Sequence, residues 1–94
     1  MGRGLEVKYH PLVLSKDLPK IDSSNKTRIK TAIKEKLLIS PELFGKPLRK
    51  TLKGNRKLRV GDYRIIFKIK IKTIVVLIIS HRRYVYKEAL KRLS

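Results

Sequence analysis

The sequence predicts an α+β fold in which two N-terminal helices pack on one face of a largely antiparallel four-stranded sheet, followed by a short C-terminal helix. Three observations predict it. Apolar residues recur at three- and four-residue steps ahead of Pro41, the period changes to two from Lys57 onward, and Gly61-Asp62 stands between the first two alternating runs, where a tight hairpin turn belongs.

Taken in order, Leu5, Val7 and Tyr9 alternate with Glu6 and Lys8, the pattern of a short strand with one wet face, and Pro11 ends it. Leu12, Val13, Leu14 and Leu18 suit a brief first helix closed by Pro19, with Ile21 packing beyond it. Asp22 or Ser23 caps the second helix, in which Ile29, Ala32, Ile33 and Leu37 form an apolar stripe opposite Lys30, Lys34 and Glu35. Pro41 stops that helix, and Pro41 to Pro47, with Gly45, reads as a loop.

In the second half Leu58 and Val60 alternate with Lys57 and Arg59. Tyr63, Ile65, Phe67, Ile69 and Ile71 then alternate with Arg64, Ile66, Lys68, Lys70 and Lys72. These are strands with a dry face and a basic face. A glycine in the first of two turn positions suits a type II′ turn, which sets Val60 against Tyr63, Arg59 against Arg64, Leu58 against Ile65 and Lys57 against Ile66. Residues 73–80 are an unbroken apolar, β-branched run, as expected of a central strand covered on both faces. Val85 to Leu93 reads as a short helix with Ala89, Leu90 and Leu93 toward the body. The 94 residues suffice for one domain, spanning 1–94, without repeats or linkers.

Charge narrows the partner. Lys and Arg number 25 against 7 Asp and Glu, a formal charge of +18, which is tolerated mainly in proteins whose partner is a polyanion. The distribution is lopsided: residues 1–45 carry +4 and residues 46–94 carry +14. A phosphate-binding face accounts for that asymmetry, whereas a solvating surface does not. The absence of cysteine excludes disulfide scaffolds and thiol nucleophiles, and two histidines with scattered acids supply no metal-ligand set. No cofactor, no metal and no membrane span are expected, since Thr73 to Ser80 is too short to cross a bilayer; the expected compartment is the cytoplasm.

Two clusters carry candidate chemistry. On the hairpin, Lys57, Arg59 and Arg64 share one face, where like charges in register repel unless something lies between them; two readings are open, convergence on a phosphate, which is favoured, and a solvated sheet face whose cations protect it against aggregation. At the end of the central strand, Ser80-His81-Arg82-Arg83-Tyr84-Val85-Tyr86 offers an imidazole for acid or base work, arginines for developing charge, and tyrosines that stack on bases. Together they supply what RNA cleavage by transesterification needs. Lys53, Arg56 and Lys68, with Arg83 and Tyr84, are the expected additional RNA contacts.

The string LKGNRKLRVGDYRIIFKI, followed by IVVLIISHRRYVYKEALKRL, resembles the RelE/ParE toxin superfamily and, within it, the RelE-like messenger-RNA interferases; the resemblance covers residues 48–93. It implies a RelE-like fold and a toxin of a bacterial or archaeal toxin-antitoxin pair, one that enters the ribosomal A site, cuts the messenger without a metal, and is neutralised by a RelB-like antitoxin. By the same resemblance Arg64 matches the transition-state arginine of the family's YR motif, Lys57 and Arg59 its basic pair, Arg82 or Arg83 its C-terminal arginine, and Tyr86 the tyrosine that orients the RNA. His81 stands where some relatives use histidine catalytically. The chain departs from the pattern in having Lys then Arg where two lysines are usual, and in a shorter segment before the tyrosine, so either arginine fits. A ParE-like inhibitor of DNA gyrase on the same scaffold is the alternative; a plain RNA-binding protein leaves the HRR…Y cluster without a role.

Overall fold

The computed structural model describes residues 4–93; the first three residues and Ser94, which the single-domain reading includes, lie outside the described residues. Strand β1 (Glu6–Tyr9) leads into a five-residue helical turn (Val13–Asp17) and a 3-10 turn (Leu18–Lys20). Helix α1 (Ser23–Ala32) continues through a wider turn at Ile33–Leu37. After it come α2 (Pro41–Phe44), β2 (Lys46–Pro47), a 3-10 turn (Lys50–Leu52), β3 (Arg56–Val60), β4 (Tyr63–Lys70), β5 (Thr73–His81) and α3 (Val85–Leu93). The α+β class predicted from the sequence is the class observed.

The sheet has five strands, not four, in the order β1-β5-β4-β3-β2; β1 runs parallel to β5 and the other pairs are antiparallel. The additional strand is the Lys46–Pro47 pair, inside a segment expected to be loop, which docks on Lys57 and Arg56. The hairpin register is the one that the turn predicts, with Arg59 against Arg64 and Lys57 against Ile66. Gly61 supplies the positive φ (60°) that such a turn requires.

Helix α1 begins at Asp22, whose carboxylate accepts from the Asn25 backbone N–H and side-chain amide. Those bonds hold the Asp22 carboxyl below the usual carboxylate range, so the cap is in place at neutral pH and is lost as pH falls through that lowered value. Ile29, Ala32, Ile33 and Leu37 are buried as the stripe predicts. They pack on Leu58, Val60, Ile65, Phe67, Ile74, Val76 and Ile79 from one face of the sheet. The other face is covered by α3, where Val85 and Ala89 meet Ile66, Ile78 and Leu52.

Several expectations need correction. Pro19 lies within the 3-10 turn instead of closing a helix, and the inward residues of the preceding turn are Val13 and Asp17, leaving Leu12 and Leu14 exposed. Strand β4 stops at Lys70, because Ile71 and Lys72 form the next turn, and Ile71 is 92% exposed rather than on the dry face. In α3 the inward pair is Val85 and Ala89, while Leu90 faces out.

One feature of β5 governs which side chains reach which face. Ile66 pairs with Ile78 but Phe67 pairs with Val76, so Leu77 is an extra residue in β5, a β-bulge. Ile74 and Val76 point to the α1 side; past the bulge the odd-numbered Ile79 and His81 do so, and Ile78 and Ser80 turn to the α3 side. Strand β1 reaches only Val76, so the β5 edge beyond it lacks a neighbouring strand. A buried ion pair takes its place. Arg92 binds both Asp17 carboxylate oxygens (2.7 and 2.9 Å) and the Leu77 carbonyl (3.0 Å), while Asp17 Oδ2 accepts from the Ile79 N–H (2.9 Å).

The stretch before β2 is fixed by contact with the core. A Cβ on Gly45 would overlap the ring of Phe67, which is fully buried, and come within 2.9 Å of the Pro41 carbonyl oxygen. Gly45→Ala is therefore expected to cost roughly 1–3 kcal/mol through overpacking. A thermal melt would read this as a loss of roughly 4–8 °C per kcal/mol for a chain of this size; an unchanged melting temperature would mean that the Phe67 pocket is not tight.

Candidate functional site

The α3-side face of the hairpin holds the predicted cations together. Arg59 and Arg64 are direct cross-strand partners, and Lys57 lies two residues before Arg59 on the same face. Side chains in register stand roughly 5 Å apart at Cβ, and two unit charges in water at that spacing repel by about 1 kcal/mol. Backbone dipoles offset part of this: Arg64 Nη1 donates to the carbonyls of Gly61 (3.0 Å) and Tyr63 (2.9 Å), which also fixes the direction of the guanidinium. Lys57 is held from the other side. Its Nζ donates to the Tyr86 hydroxyl (3.1 Å) and lies 5.4 Å from the centre of that ring, which α3 carries over the sheet.

These residues line a groove of about 430 Å³ bounded by Lys36, Phe44, Lys46, Lys57, Leu58, Arg59 and Arg64. Five of the seven are cations and none is acidic. Lys36 comes from the end of the α1 segment, with its Nζ 5.7 Å from the Phe44 ring centre, and Lys46 is the register partner of Lys57 across β2. Neither was singled out from the sequence. Only the docking of β2 on β3 brings them to the groove, and no local periodicity announces it.

The remaining predicted residues are distributed differently. His81 pairs with Tyr63, on the opposite face of the sheet from Arg64, because the bulge at Leu77 exchanges its direction with that of Ser80. Arg82 and Arg83 are exposed on the turn after β5, which is latched to the hairpin by the Arg82 N–H on the Asp62 carbonyl (2.8 Å). Tyr84 is exposed beside them. Arg56 pairs with Phe67 and so faces α1, where its guanidinium donates to the Gly45 carbonyl (2.9 Å); it is a structural contact, apart from the cationic face. Lys53 is exposed in the loop before β3, and Lys68 is exposed on the Arg64 face, beyond Ile66. Among the described residues no group of His, Cys, Asp and Glu could hold a metal ion, and no helix is long and apolar enough to cross a membrane.

An array of guanidinium and ammonium groups, of which Arg64 and Lys57 are held by hydrogen bonds, with no carboxylate lining the groove, suits a polyanion, and its Arg59–Arg64 core suits a single phosphodiester that gains charge on going to a phosphorane. Comparison with known proteins gives the family and the fold. Residues 7–86 match the model of a family described as the ParE toxin of type II toxin-antitoxin systems, parDE. Among solved structures, the chain is similar to the RelBE2 toxin-antitoxin complex from Mycobacterium tuberculosis, with 29% identity, a TM-score of 0.76, and coverage of 83% of this chain and 98% of that one. It is similar to the RelB-RelE antitoxin-toxin complex from Methanococcus jannaschii, with 25% identity, a TM-score of 0.66, and coverage of 86% and 96%. The fold is also that of the Escherichia coli toxin RelE, solved as a mutant in complex with an antitoxin RelBc peptide, at 24% identity, a TM-score of 0.65, and coverage of 95% and 97%. No curated protein sequence matches the chain.

Proposed function

Since this chain belongs to the ParE toxin family of type II toxin-antitoxin systems, we propose that it is the toxin that cuts messenger RNA in the ribosomal A site, and that the cationic groove is where it does so. The observation that carries this reading is the groove itself: Lys57, Arg59 and Arg64 side by side on one face, with Lys36 and Lys46 beside them.

The reaction is a transesterification. The 2′-oxygen of one nucleotide attacks the adjacent phosphorus, the bond to the 5′-oxygen of the next nucleotide breaks, and a 2′,3′-cyclic phosphate and a 5′-hydroxyl remain. A proton leaves the 2′-oxygen and one is delivered to the 5′-oxygen. Arg59 and Arg64 bind the non-bridging oxygens and hold the extra charge of the phosphorane, a role for which planar, always-charged donors are suited. Proton transfer falls to the Lys57–Tyr86 pair, hydrogen-bonded titratable groups at the groove; His81 takes no direct part, since it points the other way.

Tyr86→Phe keeps the ring packed on the α3-side core and removes the hydroxyl. It should lower the cleavage rate by about 10²-fold or more, the usual size of a lost proton-transfer partner, with an unchanged circular dichroism spectrum. Wild-type rates in that variant would take the hydroxyl out of the reaction.

A partner follows from the same charge. The relatives were solved bound to RelB-type antitoxins, and an acidic or amphipathic antitoxin segment laid over a +14 half would neutralise the groove by electrostatics and groove packing. Primer extension on ribosome-bound messengers after brief expression tests the reading. New ends at the A-site codon support it. Intact messenger together with accumulated cleaved gyrase–DNA complexes would overturn it in favour of a gyrase inhibitor.

A further inference from the structure

A second cavity, of about 250 Å³, opens at the end of β5 and is lined in part by Lys20, Tyr63, Ser80, His81, Tyr84 and Glu88. We propose that it binds an unstacked nucleobase bearing an exocyclic amino group, so that the protein engages RNA by base as well as by backbone. The inference rests on the RNA-directed reading above and adds the ligand chemistry of a place that reading leaves without a role.

Its walls are aromatic. The His81 ring lies 5.9 Å from Tyr63 in an edge-on arrangement and 6.2 Å from Tyr84 in a tilted one, so three rings converge on one cleft. Bases taken out of a helix stack on such rings whatever their identity, and identity is then read from polar groups at their edges. Here the polar group is Glu88. Its Oε1 accepts from the Ser80 hydroxyl (2.7 Å), and among the described residues its other carboxylate oxygen has no hydrogen-bond partner. Asp17 also lines the cavity, but Arg92 and the Ile79 N–H occupy its oxygens. Glu88 is thus the acceptor that remains.

A carboxylate accepts from the N–H groups of guanine, cytosine and adenine edges. It is repelled by uracil, whose one ring N–H is flanked by two carbonyls. Glu88 and Asp62 are the only acids in residues 46–94, against sixteen cations, so a carboxylate held in an aromatic cleft there stands out against its surroundings. Ser80, the register partner of Arg64, lines the cleft from the Arg64 face, while Tyr63 and His81 line it from the opposite face, so the cleft sits around the end of β5 and is separate from the groove.

The test titrates the ¹⁵N-labelled full chain with GMP, AMP, CMP and UMP separately and follows backbone amides. Shifts at Tyr63, His81, Tyr84 and Glu88 are expected, with the amino-bearing nucleotides at least about fivefold tighter than UMP, the low end for a base-edge contact. Glu88→Gln keeps an acceptor for Ser80 and turns the other corner into a donor, and should bring UMP level with the rest. Tyr84→Ala alters an exposed side chain, so the fold is not at stake; it should weaken all four nucleotides and leave inorganic phosphate unaffected. Equal shifts for all four nucleotides confined to Lys57, Arg59 and Arg64, or unchanged discrimination in Glu88→Gln, would overturn the proposal. Base discrimination in a protein that leaves ribosome-bound messengers intact would keep the cleft and remove the nuclease reading instead.

Discussion

Replacing Arg64 with alanine is expected to abolish toxicity while the domain remains folded. The guanidinium is aimed by two turn carbonyls and stands in register with Arg59 on one side and Ser80 on the other, so no other cation can take its position without moving the hairpin. Loss of one preorganised donor to a charge-accumulating transition state typically costs about 10²–10³ in rate. The fold loses little. The Gly61 and Tyr63 carbonyls sit at the hairpin end, where water can replace the lost donors, and the mutation removes a like-charge contact with Arg59, so the stability change should stay within about 0.5 kcal/mol. Growth after induction, primer extension and a thermal melt together decide the matter: an undiminished growth defect takes Arg64 out of the mechanism, and a collapsed melt takes away its use as a probe.

Asp17→Ala is expected to have the largest effect on stability. The Asp17 and Arg92 side chains are only 3% and 4% exposed. Removing the carboxylate leaves a buried guanidinium with only the Leu77 carbonyl, and leaves the Ile79 N–H with no partner at an edge that no strand covers. Breaking a buried pair from one side costs roughly 3–5 kcal/mol. For a chain of this size that is a melting temperature lower by at least about 12 °C. Replacing both residues with apolar ones should cost less than the sum of the two single changes, because no lone charge is then buried. A loss below about 1 kcal/mol in Asp17→Ala would show that water reaches the pair and that the edge is held by something else.

What the sequence reveals follows from how local each determinant is. The hairpin register is legible because two residues, Gly61 and Asp62, fix it, and every pairing from Lys57 to Ile66 follows. The α1 stripe is legible because its period is local too. The Asp17–Arg92 pair joins positions 75 residues apart and has no signature in either neighbourhood. Lys46 belongs to a two-residue strand whose existence depends on β3 being there to receive it. The orientation of His81 was hidden for a different reason. An unbroken apolar run such as Thr73 to Ser80 carries no alternation from which a phase can be read, so the position where β5 slips by one residue leaves no trace in its composition.

That slip has a consequence for comparing chains of this kind. Shortening the strand by its one surplus leucine would restore a plain two-residue repeat and rotate everything after it by half a turn, delivering an imidazole to the arginines in place of a hydroxyl. Two homologues could therefore share the letters SHRR and yet run different proton chemistry. The deciding residue would lie four positions upstream, within a stretch of aliphatics that an alignment treats as interchangeable.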